Sequence, residues 1–254
     1  MSVPRTPSFR LDGKRALVTG AGRGIGRGLA VALAQAGASV TLCARTGSEI
    51  EAVAESIRAT SARAETVVLD VVDVDQVRSV IGGLQTFDIL DNNAGTNRPR
   101  PCVDVTTEDF DALVQLNVRA AYFVAQAVAL RMIDAGIAGS IINMSSQAGH
   151  LAAAGRSVYT LTKFAIEGLT KAMAVELAPK RIRVNSLCPT FIETDMTRPS
   201  LDDPDFKAAV LSRIKLGRVG TVEDLMGAAI FLASDASSLM TGTSLLIDGG
   251  WTAG

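Results

Sequence analysis

Histidine is almost missing from this chain of 254 residues: there is one, His150, and only three cysteines, Cys43, Cys102 and Cys188, set far apart. So sparse a set lacks the paired spacing of a structural zinc site, so no metal is expected. An odd number of scattered cysteines fits reduced thiols and a cytoplasmic location. An excess of either charge is missing too. Twenty-five basic residues face 26 acidic ones, the formal net charge is −1, and no basic block occurs. Neither nucleic acid nor an anionic membrane surface finds an electrostatic footprint here. Long apolar runs are also absent. The first, Ala16 to Val18, is too short for a signal-peptide core. The longest stretch without Asp, Glu, Lys or Arg, Gly136 to Gly155, is crowded with Ser, Asn, Gln and Gly, unlike a membrane span.

What the chain does have is apolar residues, 48% of the total against 20% charged, enough for a substantial core. Short β-branched runs alternate with stretches of helical period. RALVTG reads as a strand and GRGLAVALAQAG as a helix ending at Gly37; ASVTLCA is a second strand, and GSEIEAVAESIRAT a helix with Ser48 as its cap. AETVVLDV, FDILDNNAG, GSIINMSS, IRVNSLCP and TSLLIDGG continue the series, with one long helical stretch over 107–135 and another through about residue 178. Such alternation predicts an α/β fold: a single Rossmann-like, doubly wound domain, with about seven parallel strands and helices on both faces. No repeat, linker or composition shift divides it, so residues 11–254 form one domain behind a tail at 1–10. The segment 191–205, with two prolines, is a lid or a surface excursion.

Between the first strand and the first helix sits TGAGRGIG. It is not G-x-G-x-x-G in any register, but Gly20, Gly24 and Gly26 give T-G-x-x-x-G-x-G. The physics is that of a dinucleotide loop: a tight turn, close approach of backbone to a pyrophosphate, and free N–H groups at a helix N-terminus. At the end of the second strand an NAD site usually carries an acid. Here LCART offers Arg45 instead, with Arg23 in the glycine loop able to close on it. Two guanidiniums suit a 2′-phosphate, which favours NADP(H) over NAD(H), although NAD(H) stays open.

These features, taken in order, resemble the short-chain dehydrogenase/reductase family of the common ~250-residue type. The matching motifs are TGAGRGIG at 19–26, NNAG at 92–95, LNV at 116–118, SS at 145–146 and YTLTK at 159–163. The resemblance runs from Leu11 to Trp251. It implies an NAD(P)-dependent oxidoreductase interconverting a carbonyl and a secondary alcohol, with Tyr159 as acid/base, Lys163 as its activating partner, Ser146 orienting the carbonyl and Asn117 completing a proton relay. Ser146 is chosen over Ser145 because it lies thirteen residues before Tyr159. The resemblance places the cofactor against Gly20, Arg23, Gly24, Ile25 and Gly26. It adds Arg45, then Asp70 and Val71 after the third strand, and Asn93, Ala94 and Gly95 after the fourth. Tyr159 and Lys163 themselves contact it, with Ile192 and Thr194 at the nicotinamide carboxamide. It also implies a small-molecule carbonyl or alcohol substrate of the sugar, polyol, keto-acid or simple-ketone class, and assembly into a dimer or tetramer. Enoyl reductases, a related class, use a wider Tyr–Lys interval than the four residues here.

The interval of four makes chemical sense. A free phenol, with pKa about 10, is a scarce base at neutral pH. Residues i and i+4 share a helix face, so a lysine there sets an ammonium beside the ring and stabilises the phenolate. Two departures from the family pattern stand out. Pro189-Thr190 replaces the usual Pro-Gly, and Asp91 stands where an apolar residue is usual, so it is expected to be paired or solvated. Gln147, His150, Arg98 and Arg100 border the expected site and either contact substrate or face solvent.

Overall fold

A computed structural model describes residues 3–254. Residues 3–10 are exposed, and Leu11 is the first buried side chain, its N–H bonded to the carbonyl of Ala36. The described residues form seven strands: Arg15–Thr19 (β1), Ser39–Ala44 (β2), Ala64–Val68 (β3), Ile89–Asn92 (β4), Ser140–Met144 (β5), Arg183–Pro189 (β6) and Ser244–Ile247 (β7). All pair in parallel, in the order β3-β2-β1-β4-β5-β6-β7. The chain winds outward from β1 in one direction and from β4 in the other. Between them lies the switch point, outside whose carboxyl ends open α/β sheets bind ligands.

Both faces are covered, which is why β4 and β5 are buried at every position. On one face lie Gly24–Gln35 (α1), Gly47–Arg58 (α2) and, from later in the chain, Glu223–Ala233 (α9), packed around Leu29, Leu33, Ile50 and Leu225. On the other lie Val74–Gly83 (α3), Ala121–Asp134 (α5) and Ser157–Leu177 (α6), packed around Val77, Ile81, Val128 and Met132.

One local expectation is corrected and two are refined. Ser48 is not a cap. Thr46 holds that position, without a side-chain bond, and Ser48 lies inside α2. The stretch expected as one long helix is continuous but not uniform: Thr107–Val114 (α4) passes through a π-helical segment, Gln115–Ala120, into α5. By length and apolarity this combined helix could cross a membrane, but half of its apolar window is buried within the fold. The segment 191–205 is not a bare loop, since it contains Arg198–Leu201 (α7) and the start of Pro204–Leu211 (α8).

Candidate active site

The glycine loop works through its backbone. Gly20 has φ +65°, and a Cβ on Gly26 would collide with the Gly20 carbonyl and the Asn93 amide. Only glycine lets the first turn of α1 come this close to the end of β1. Thr19 then ties the two central strands together: its hydroxyl accepts the N–H groups of Asn93 (3.0 Å) and Ala94 (3.1 Å), while Asn93 Nδ2 donates to the Thr19 carbonyl (2.9 Å). α1 begins without a side-chain cap, so its leading N–H groups are left for something else.

These N–H groups face a cavity of about 590 Å³ that runs along the carboxyl ends of the strands. Gly20, Arg23, Gly24, Ile25 and Gly26 line one end, with Arg45, Asp70 and Val71. Asn93, Ala94 and Gly95 line the middle. Ser146, Tyr159, Lys163, Ile192 and Thr194 line the far end. A dinucleotide fits this end of the cavity on three counts: the uncapped helix, the glycine approach, and Arg23 and Arg45, which make no ion pair among the described residues. Glu49 also reaches in beside Gly22.

At the far end, Lys163 is 6% exposed. Its Nζ donates to the Met144 carbonyl (2.8 Å) and stands 5.5 Å from the centre of the Tyr159 ring. The ammonium is thus fixed on the same face as the phenol. Ser146 Oγ accepts from Ala148 N–H (3.1 Å) and reaches the Pro189 carbonyl at 3.4 Å. The neighbouring Ser145 also lines the cavity, with its hydroxyl turned towards Glu167.

Asn117 does not line the cavity; it stands behind it, buried at the π-helical segment. Its amide is used as a staple, Oδ1 accepting from Thr96 N–H and Nδ2 donating to the Thr96 carbonyl, both at 2.9 Å. Nδ2 also reaches Thr162 Oγ1 (3.2 Å), which donates to the Tyr159 carbonyl (2.7 Å). The loop after β4 is thereby locked to the turn of α6 that carries the tyrosine. The side chain is spent on this clamp. π-helical insertions of this kind are frequent at functional sites.

The undecided residues now have places. Gln147 is buried and lines the cavity. His150 turns towards Glu167, with Nε2 3.7 Å from Oε2, and is not in the cavity wall. Arg98 and Arg100 both pair with Asp109, at 2.9 and 2.5 Å, and neither lines the cavity. Asp91 contradicts its expectation. It is fully buried with both oxygens unpartnered among the described residues, and burial pushes its carboxyl up to about 7. Without a partner, burial favours the protonated form of the carboxyl.

Sequence reasoning missed Arg156, Phe191 and Thr162. Arg156 and Phe191 line the far end of the cavity, the guanidinium lying 4.8 Å from the ring centre. Only Arg156 gave a signal that could have been read, since it stands three residues before Tyr159, at the start of the helix that carries it.

A family model described as "Enoyl-(Acyl carrier protein) reductase" matches residues 20–252. The chain is similar to the D-erythrulose reductase of Gallus gallus, 42% identical over 96% of this chain and 98% of that one. It is equally similar to the gluconate 5-dehydrogenase of Gluconobacter oxydans, 42% identical over 96% of each. Among solved structures, a gluconate 5-dehydrogenase from Burkholderia cenocepacia in complex with NADP and tartrate superposes with a TM-score of 0.93. It is 41% identical and covers 97% of this chain and 98% of that one.

Proposed function

The chain belongs to the short-chain dehydrogenase/reductase family and is an NAD(P)-dependent carbonyl/alcohol oxidoreductase, and we propose that it prefers NADP(H) and acts on polyhydroxylated substrates of the sugar and polyol type. The observation that carries this reading is one cavity with two chemistries at its ends. An uncapped glycine-rich helix start beside Arg23 and Arg45 faces a wall bearing Ser146, Tyr159 and Lys163. Relatives named for erythrulose and gluconate support a hydroxylated carbon chain.

A bound nicotinamide dinucleotide supplies or takes the hydride. The chain's own residues do the rest. Ser146 Oγ–H donates to the substrate oxygen where negative charge develops, and the buried placement of that hydroxyl strengthens the bond. Tyr159 gives its phenolic proton to that oxygen in reduction and takes it back in oxidation. Lys163, held by the Met144 carbonyl, keeps positive charge beside the ring and stabilises the phenolate form. Arg23 and Arg45 would answer the adenosine 2′-phosphate, with Glu49 nearby as an acid that would favour free ribose hydroxyls instead.

The test is consumption of NADPH and NADH at 340 nm across ketoses, keto acids and simple ketones. Tyr159→Phe should cut turnover by about 10²–10⁴-fold with cofactor affinity largely kept. Retained turnover in that variant removes the acid/base assignment. Arg45→Asp should shift the cofactor ratio towards NADH, and an unchanged ratio removes the phosphate assignment. Cofactor binding without turnover of any carbonyl compound would instead indicate a non-catalytic dinucleotide sensor. Assembly into a dimer or tetramer in the cytoplasm is part of the same proposal.

A further inference from the structure

Of the arginines that surround the far end of the cavity, Arg156 alone lines it, and Arg213 lies over the Trp251 ring outside the lining. Arg98 and Arg100 share Asp109, and Arg198 pairs with Asp195 at 3.3 Å. That last pair also answers the one acid that lines this end, Asp195. Arg156 is different. Among the described residues its guanidinium has no carboxylate within ion-pair distance and no hydrogen-bond acceptor, although it is partly buried in the cavity wall.

Its position is nevertheless fixed from two sides. The backbone is held by a bridge between Arg100 and Arg156, with Arg100 N–H donating to the Gly155 carbonyl at 2.8 Å. The guanidinium lies over the Phe191 ring, which stacks on Trp251 with centroids 5.7 Å apart and meets Phe206 edge-on at the same distance. An aromatic face holds the guanidinium plane but bonds none of its edge N–H donors. Burial lowers the Arg156 pKa from its usual value, while the neighbouring Tyr159 pulls the other way. A desolvated cation with idle donors is costly unless a ligand uses them.

We propose that Arg156 is the receptor for a substrate carboxylate, so that the preferred substrate is a hydroxylated keto acid of the aldonate kind rather than a neutral ketose. This rests on the reading of Tyr159 and Ser146 as the carbonyl site. Arg156 is the residue just before α6 and lines the same end of the cavity as Tyr159, close enough for the two to interact electrostatically. One short carbon chain can therefore place its carbonyl at Tyr159 and its carboxylate at Arg156. The guanidinium fork matches two carboxylate oxygens. A phosphate dianion would call for a second cation, and among the described residues no second arginine lines this end of the cavity, while Lys163 is held by the Met144 carbonyl. The other free arginines of the cavity, Arg23 and Arg45, stand at its opposite end with the glycine loop. Phe191, which lines the cavity and on which Trp251 stacks, offers an apolar face beside the guanidinium.

Trp251 is the only tryptophan, which makes binding readable without turnover. The purified Tyr159→Phe variant, which keeps cofactor affinity but is blocked in turnover, is saturated with NADP⁺. It is titrated with gluconate and with sorbitol, the same six-carbon chain lacking the charge, while Trp251 emission is followed. The Arg156 substitutions are read for binding in the same background. Gluconate should give a saturable change at concentrations about 30- to 100-fold below any change from sorbitol, the factor expected of a hydrogen bond to a charged group. Arg156→Gln should remove that difference, and Arg156→Lys should restore part of it as a point charge without the fork. Thermal melting of both variants checks that they are folded. In steady-state assays the same substitution should lower the ratio of kcat/KM for a keto acid over a neutral ketose. Equal binding of gluconate and sorbitol, or gluconate binding unchanged in Arg156→Gln, overturns the proposal. The two readings fail separately. Turnover of neutral ketoses with gluconate ignored keeps the reductase and discards the receptor; Arg156-dependent gluconate binding with no turnover of any carbonyl does the reverse.

Discussion

Glu167 and Asp91 are both carboxylates shut away from water, one beneath the substrate end of the cavity and one beneath the cofactor end, and they are treated in opposite ways. Glu167 follows Lys163 by one turn of α6 and is 6% exposed. It accepts from the hydroxyls of Ser186 (3.0 Å) and Ser244 and from the Cys188 thiol (3.4 Å). Burial pushes its carboxyl up, but the hydroxyls of Ser145, Ser244 and Ser186 and the thiol outweigh it and hold it below the usual range. Asp91 sits in β4 between Val18 of β1 and Ile142 of β5, which belong to the apolar core shared with α1 and α9, and it accepts nothing among the described residues. Burial alone does not decide the fate of a buried acid. The donors around it do.

The largest effect should come from removing the well-served acid. Glu167→Ala strands Ser186, Ser244 and Cys188 and opens a void under the catalytic helix, so unfolding free energy should drop by about 3–5 kcal/mol. For a chain of this size that lowers the melting midpoint by roughly 10 °C. A loss below about 1 kcal/mol would mean that the three donors re-pair among themselves and that the network adds little. Asp91→Val should act in the other direction, raising stability by about 2–4 kcal/mol at pH 8, because it replaces a strained ion with the apolar group its neighbours favour. A destabilised variant would show that Asp91 has a partner or a role.

The pH dependence separates the two further. The folded-state pKa of Asp91 is raised, to about 7 from the usual 3.8, so the folded state binds the extra proton between those values. Stability is therefore fully present below about pH 4 and is lost as pH rises through 7, by up to about 4 kcal/mol for three units. The gain from Asp91→Val should accordingly shrink towards pH 4. The pKa of Glu167 is depressed, so its contribution is present at neutral pH and is lost only as pH falls through its folded value. Urea unfolding of the wild type and Asp91→Val at pH 4.5, 6 and 8 measures this; a difference that stays constant with pH would assign the penalty to shape rather than charge.

The contrast also marks what a sequence can disclose. The glycine loop, the Tyr159–Lys163 interval and the alternation of strands and helices were legible because each depends on local spacing: a turn, one helical face, a period. Glu167 went unnoticed because its donors sit on β6 and β7, and no pattern along α6 points across to them. Arg156 was overlooked for the same reason, since its meaning depends on Asp109 occupying two other arginines and on Phe191 arriving from beyond β6. Asp91 was legible as an anomaly, but the rule that a buried acid finds a partner or water left out its third option, which is to keep its proton. Asn117 was found by motif, yet its use as a clamp on Thr96 follows from the π-helical segment, which propensity does not foresee.

The smallest effect concerns His150, Glu167 and Cys188, whose ligand atoms lie within 4.8 Å of one another. The trio looks like the start of a metal site, but the chemistry runs against it. Burial pushes the Cys188 thiol up to about 12, so binding a cation there means removing a firmly held proton. Glu167 already has its acceptor sites in use by Ser186, Ser244 and the thiol, and a zinc ion would have to displace them. Added zinc or a chelator should therefore move the melting midpoint by less than about 1 °C, a few tenths of a kcal/mol. His150→Gln should change stability by less than about 1 kcal/mol, since its ring is partly exposed and stands 3.7 Å from the carboxylate, beyond a hydrogen bond. A clear zinc-dependent rise that His150→Gln abolishes would reverse the comparison: Glu167 would then be a ligand whose serine donors are placeholders, and the better-satisfied of the two acids would be the one with the unfilled role.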